Sequence, residues 1–78
     1  MNVTINGEPR SFDNIQTVSD LVQSLGMKSD RVAVELNRDI VTRDRWPSTP
    51  LKEGDHLEIV HFVGGGAPLI VERWEFRV

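Results

Sequence analysis

Two histidines, scattered carboxylates, a few serines and a run of three glycines are the groups from which this 78-residue chain could build chemistry. His56 and His61 lie five apart in a stretch that alternates like a strand. An odd spacing puts them on opposite faces, so they cannot ligate one metal together. The acidic residues stand singly among arginines, and no pair has a context that argues for general acid–base work. The serines have neither a nucleophile elbow nor a base partner. No cysteine is present, which excludes disulfides, zinc fingers, iron–sulfur clusters and thiol catalysis. Gly64-Gly65-Gly66 follows a strand but precedes no capped helix with a lysine, so it is not a phosphate loop. The sequence does not read as an enzyme.

The glycine run has another use. Without side chains it can thread a deep slot and present a backbone carboxylate to another protein's catalytic site; its plainer use is as a flexible linker between modules. The strand before it places Leu57, Ile59, His61 and Val63 on one face and Glu58, Val60 and Phe62 on the other. Leu57 and Ile59 are the better core pair, which turns Val60 and Phe62 outward. That pair is either a partner-docking patch or a surface covered by a loop.

These groups must be positioned by one small domain, since 78 residues allow one core. Nine Lys and Arg against twelve Asp and Glu give a net charge of −3, which argues against a nucleic-acid partner. The apolar runs are only a few residues long, so neither a membrane span nor a signal peptide is expected and the cytoplasm is the expected location. Met1–Ile5 alternates as a strand, Asn6-Gly7 is a hairpin turn, and Glu8–Phe12 is the return strand, placed at an edge by Pro9. Thr17 caps a helix over Val18–Leu25 that Gly26 ends. Arg31–Leu36 is a strand, Asn37-Arg38-Asp39 a turn, Ile40-Val41 a strand stub, and Trp46–Pro50 is expected to be irregular because of its prolines. His56–Val63 is the longest strand. The order predicts an α+β fold, a mixed sheet of four to five strands on one helix, with the first and last strands central and parallel. The expected core is Val3, Ile5, Leu21, Leu25, Val34, Leu57 and Ile59.

In this order of elements the chain resembles the ubiquitin-like β-grasp proteins, and in detail the ThiS family of thiamine-biosynthesis sulfur carriers. The resemblance rests on Met1–Glu8, Thr17–Leu21, Val32–Asn37, Leu51–Asp55 and Ile59–Gly66. The molybdopterin-type carrier is similar in fold and ranks second. The resemblance implies a carrier rather than a catalyst. An adenylating activating enzyme uses ATP on the glycine carboxylate, a sulfur-donor system converts the adenylate to a thiocarboxylate, and thiazole synthase receives the sulfur. Carried over, Gly66 bears the thiocarboxylate, Gly64 and Gly65 form the narrow neck, and Val60 and Phe62 belong to the docking face. No permanently bound cofactor is implied.

The family pattern closes on its glycine carboxylate, whereas Ala67–Val78 follow here. The chain therefore divides into a carrier domain, 1–66, and an extension, 67–78, read as flexible, a small hairpin, or one strand with Trp74, Phe76 and Val78 on a face. The extension resembles the opening hairpin of thiazole synthase. A tail removed by proteolysis, the start of a carrier–synthase fusion, and a carrier that has lost its role are the three expectations. Gly64–Gly66 and the extension are expected to move relative to the domain, unless Trp74 and Phe76 fold back onto Val60 and Phe62.

Overall fold

The computed structural model describes residues 1–27, 29–63 and 70–73, with Ser29, Phe62, Val63 and residues 70–73 described as backbone. The expectations of a mobile Gly64–Gly66 and of a packed Trp74 and Phe76 fall outside the described residues. Strand β1 (Asn2–Ile5) turns through Asn6 and Gly7, at φ of 52° and 83°, into β2 (Glu8–Ser11). Both turn residues adopt the left-handed region that a two-residue hairpin of matching twist requires. Helix α1 (Val18–Ser24) follows, then a 3₁₀ turn (Ser29–Arg31) and β3 (Val32–Leu36). Asn37 and Arg38, at φ of 50° and 75°, make a second hairpin into β4 (Asp39–Val41). A 3₁₀ helix (Arg43–Ser48) leads to β5 (His56–Val63), and β6 (Ile70–Arg73) comes last.

The sheet runs β2-β1-β5-β3-β4, with β1 and β5 parallel, the other neighbours antiparallel, and β6 added to β5. This is the mixed sheet on one helix that the alternation predicts, with the parallel pair at its centre and Pro9 in the edge strand β2. The inner face carries Val3, Ile5, Val34, Leu57 and Ile59 against Val18, Leu21 and Val22 of α1. Of the expected core only Leu25 departs. It is the C-cap, one position beyond the last helical turn, and is half-buried.

The segment expected to be irregular instead forms the 3₁₀ helix that buries Trp46 to 3% exposure. A helix this short tolerates Pro47, because few of its amides have a helical acceptor to lose. The Trp46 indole N–H donates to the Val41 carbonyl at 2.9 Å, so the ring is buried without an orphaned donor. Past this helix, Val18 N–H donates to Thr49 and Leu51 N–H to Gln16, fastening the start of α1 to the run toward β5.

The cap of α1 is a reciprocal box. Asp20 N–H donates to Thr17 Oγ1 at 3.2 Å, and the Gln16 and Thr17 amides donate to Asp20 Oδ2 at 3.0 Å each. Those amides, Gln16 first, hold the Asp20 carboxyl below its ordinary pKa of 3.8. A group depressed in the folded state adds stability above its unfolded pKa and loses it as pH falls through the folded value.

The packing and the cap are each open to test by substitution. Leu57→Ala removes a side chain 2% exposed and is expected to cost about 2–5 kcal/mol, read as a lower urea midpoint at unchanged m-value; an unmoved midpoint contradicts the inner-face assignment. Thr17→Ala is expected to cost about 0.5–2 kcal/mol. In acid titrations below 3.8, the parent is expected to lose stability more steeply than Asp20→Asn; parallel curves would show that the carboxylate contributes nothing to the cap.

Candidate functional site

The residues singled out for function converge on the second half of β5 and the chain beyond it. β3 lines one edge of that strand from Leu57 to His61, pairing Ala33 with Val60 and Val32 with His61. Along the opposite edge β1 supplies partners only as far as Leu57: Thr4 N–H donates to Asp55 and Asn6 N–H to the Leu57 carbonyl, both at 2.9 Å. Beyond that point β1 has turned away into its hairpin. The Asn6 carboxamide takes its place, donating from Nδ2 to the Ile59 carbonyl at 3.1 Å and accepting the Ile59 N–H on Oδ1 at 2.8 Å. One side chain thus reproduces the two bonds of a strand residue. Asn6 is 9% exposed, a buried polar side chain with its carboxamide bonded at both ends.

Beyond Ile59 the edge passes to β6. Val60 lies opposite Arg73, His61 opposite Glu72, Phe62 opposite Val71 and Val63 opposite Ile70. The part of the extension that the structure describes is therefore a strand of the carrier domain's own sheet. The glycines lie between the paired residues Val63 and Ile70, outside the described residues.

Val60 is half-buried on the face away from α1, beside half-buried Ala33. Glu35 and Glu58 face each other one rung earlier on that surface. Phe62 belongs to the same alternation as Val60, and only its backbone is described. Of the histidines, His56 is exposed and His61 half-buried in the phase of Ile59, so the structure does not bring them together. An open depression of about 530 Å³ lined by Thr4, Glu35, Arg38, His56 and Glu58 contains no nucleophile–base pairing. Among the described residues no group of three or more His, Asp or Glu is placed to hold a metal ion, and no helix is long and apolar enough to cross a membrane. Sequence reasoning placed Asn6 in its turn but missed its second role. An asparagine at a turn position that glycine or aspartate also fills was the available signal.

The ThiS family profile matches residues 3–66, closing on Gly66. A thiazole synthase of Magnetococcus marinus is 36% identical over 74 residues, 95% of this chain but 23% of that protein's length. Such an alignment cannot fit within residues 1–66, so it passes the glycines and enters the extension. The sulfur carrier protein ThiS of Bacillus subtilis is 42% identical over 50 residues, 64% of this chain and 76% of that one. The crystal structure of the thiamine biosynthesis protein (ThiS) from Geobacter metallireducens superposes with a TM-score of 0.70 at 36% identity, covering 85% of this chain and 100% of that one.

The bracing of Ile59 by Asn6 has a measurable consequence. Asn6→Ala leaves the Ile59 N–H and C=O unpartnered in a buried place and puts a Cβ-bearing residue without a polar side chain at φ 52°. Each orphaned group costs about 1–3 kcal/mol, so a loss of about 2–6 kcal/mol is expected in chemical denaturation. Asn6→Gly relieves the backbone but not the orphans, and is expected to recover under half of that loss. Full recovery by glycine would mean that the carboxamide bonds add nothing.

Proposed function

The chain belongs to the ThiS family, and on that premise we propose that it carries sulfur for assembly of the thiazole of thiamine. It acts as a carrier and not as a catalyst. The observation that carries this reading is the family match that closes on Gly66, at the end of the run of glycines leaving β5. Once the Gly66 carboxylate is free, one of its oxygens attacks the α-phosphate of ATP on an adenylating activating enzyme, and pyrophosphate leaves. A hydrosulfide-equivalent nucleophile from a sulfur-donor system then attacks the acyl carbon and displaces AMP, leaving the thiocarboxylate. Thiazole synthase takes the sulfur from it. Gly64 and Gly65 form a neck narrow enough for a partner's slot, and Val60 and Phe62 belong to the face that docks beside it. ATP is the activating enzyme's substrate and not a resident of this chain, and the cytoplasm is the compartment in which all of these meet.

A second reading has its own observation. The alignment with the Magnetococcus marinus thiazole synthase continues past the glycines, which favours a carrier domain joined to a synthase in one polypeptide. In that arrangement Gly66 is a peptide carbonyl, and an interaction module that is never activated would serve equally well.

ATP–pyrophosphate exchange with the activating enzyme separates the two. Residues 1–66 are expected to support exchange, and 1–78 is expected to support none while it stays intact. After addition of the sulfur donor, the mass of 1–66 is expected to rise by the difference between sulfur and oxygen. Equal exchange by both chains would show that Gly66 need not be terminal, and no exchange by either would favour the module.

A further inference from the structure

Asn6 carries a chemical liability as well as a structural duty. An asparagine carboxamide can be attacked by the backbone nitrogen of the residue that follows it, closing a five-membered imide. A side chain on that following residue crowds the approach, and here the residue is Gly7, which has none. Asn2, Asn14 and Asn37 precede Val3, Ile15 and Arg38, so Asn6 is the one asparagine of this chain with an open approach.

The native hairpin opposes the reaction twice. Asn6 lies in the left-handed region, at φ 52°. There the Gly7 nitrogen stands anti to Cβ across the Cα–C bond, whereas the imide needs the two on the same side. The carboxamide is also fixed in its plane, with Nδ2 donating to the Ile59 carbonyl at 3.1 Å and Oδ1 accepting the Ile59 N–H at 2.8 Å. Attack makes Cγ tetrahedral and breaks that plane, which leaves both buried Ile59 groups unpaired.

We propose that Asn6-Gly7 is a site of spontaneous deamidation: pairing with Ile59 suppresses the reaction, detachment of the hairpin from β5 permits it, and the products cannot rebuild the pair. In the open chain the Gly7 nitrogen gives its proton to hydroxide and bonds to Cγ. The Cγ–Nδ2 bond then breaks, and Nδ2 leaves as ammonia with a proton from water. A further water opens the imide, at Cγ to give aspartate or at the main-chain carbonyl to give isoaspartate. The aspartate still accepts the Ile59 N–H, but its second oxygen meets the Ile59 carbonyl with no proton between them. The isoaspartate adds a methylene to the main chain and breaks the two-residue turn. Each event weakens the brace on β5, and refolding does not reverse it.

The test incubates chain 1–78 at mildly alkaline pH, folded and in urea above its midpoint, and follows each asparagine by peptide mass spectrometry. It does not depend on sulfur transfer. In urea Asn6 is expected to convert well ahead of Asn37, the internal control. Asn37 also opens a hairpin with its carboxamide bonded at both ends, but Arg38 follows it. In the folded chain Asn6 is expected to convert at least about a hundredfold more slowly than in urea, or about tenfold for each bond to Ile59. Asn6→Asp supplies one product directly and is expected to lower the urea midpoint at unchanged m-value. Similar rates in the folded and unfolded chain, Asn37 keeping pace with Asn6, or an unmoved midpoint for Asn6→Asp would each overturn the proposal.

Discussion

A strand at the centre of a sheet has two edges to satisfy, and on one of them β5 is served by three partners in succession. The backbone of β1 reaches as far as Leu57, the Asn6 carboxamide takes Ile59, and β6 takes the residues from Val60 onward. The middle partner sets the arrangement. If β1 ran on, its backbone would occupy the edge toward Val63 and leave no place for β6. If it simply stopped, the Ile59 peptide would be buried and unpaired, at about 1–3 kcal/mol for each group. An asparagine in the left-handed region solves both problems, since it can turn the chain and still offer a peptide-like side chain to the strand it leaves.

The other edge repeats the device. Asn37 opens the second hairpin at φ 50°, donates its N–H to the His56 carbonyl at 2.7 Å, and accepts the His56 N–H on Oδ1 at 3.0 Å. Its Nδ2 reaches Asp55 Oδ1 at 3.1 Å. Each hairpin is therefore tied by its first turn residue to the strand between them. With β5 held from both sides, Leu57 and Ile59 are fixed on the inner face against Val18, Leu21 and Val22, and Val60 on the outer one. A register slip of one residue would exchange those faces. The asparagines oppose it, because each meets the peptide of one particular residue.

Where a segment obeyed a single local rule, the sequence could be read: the alternation of β1, β3 and β5, the Asn-Gly turn, the Thr17 cap and the edge position of Pro9 all follow from residue type and spacing. What could not be read depended on partners distant in the chain. Asn6 and Ile59 are 53 residues apart, and nothing local to Asn6 distinguishes a turn asparagine from one that also completes a ladder. Trp46 was hidden by its own neighbours, because Pro47 and Pro50 argue for irregular chain while the ring needs burial more than its segment needs regularity. The extension could be read as flexible, a hairpin or a strand, and only the register shows that Ile70–Arg73 pairs with β5. The candidate site was named from Val60, Phe62 and the glycines, but the strand edge beside Val60 could not be read, because it is built from three separate parts of the chain.

A chain that works by offering its main chain to another protein faces a constraint that an enzyme does not. Its reactive end can carry no side chains, because the slot that receives it admits none, and so that end cannot contribute to recognition. Recognition falls to the sheet from which the tail departs, on the proposed reading to the face around Val60. On the same reading the chemistry belongs to the partners. Joining such a domain to its acceptor in one polypeptide would raise their local concentration to about the millimolar range, but it hides the carboxylate in a peptide bond. Tethering and activation are thus opposed.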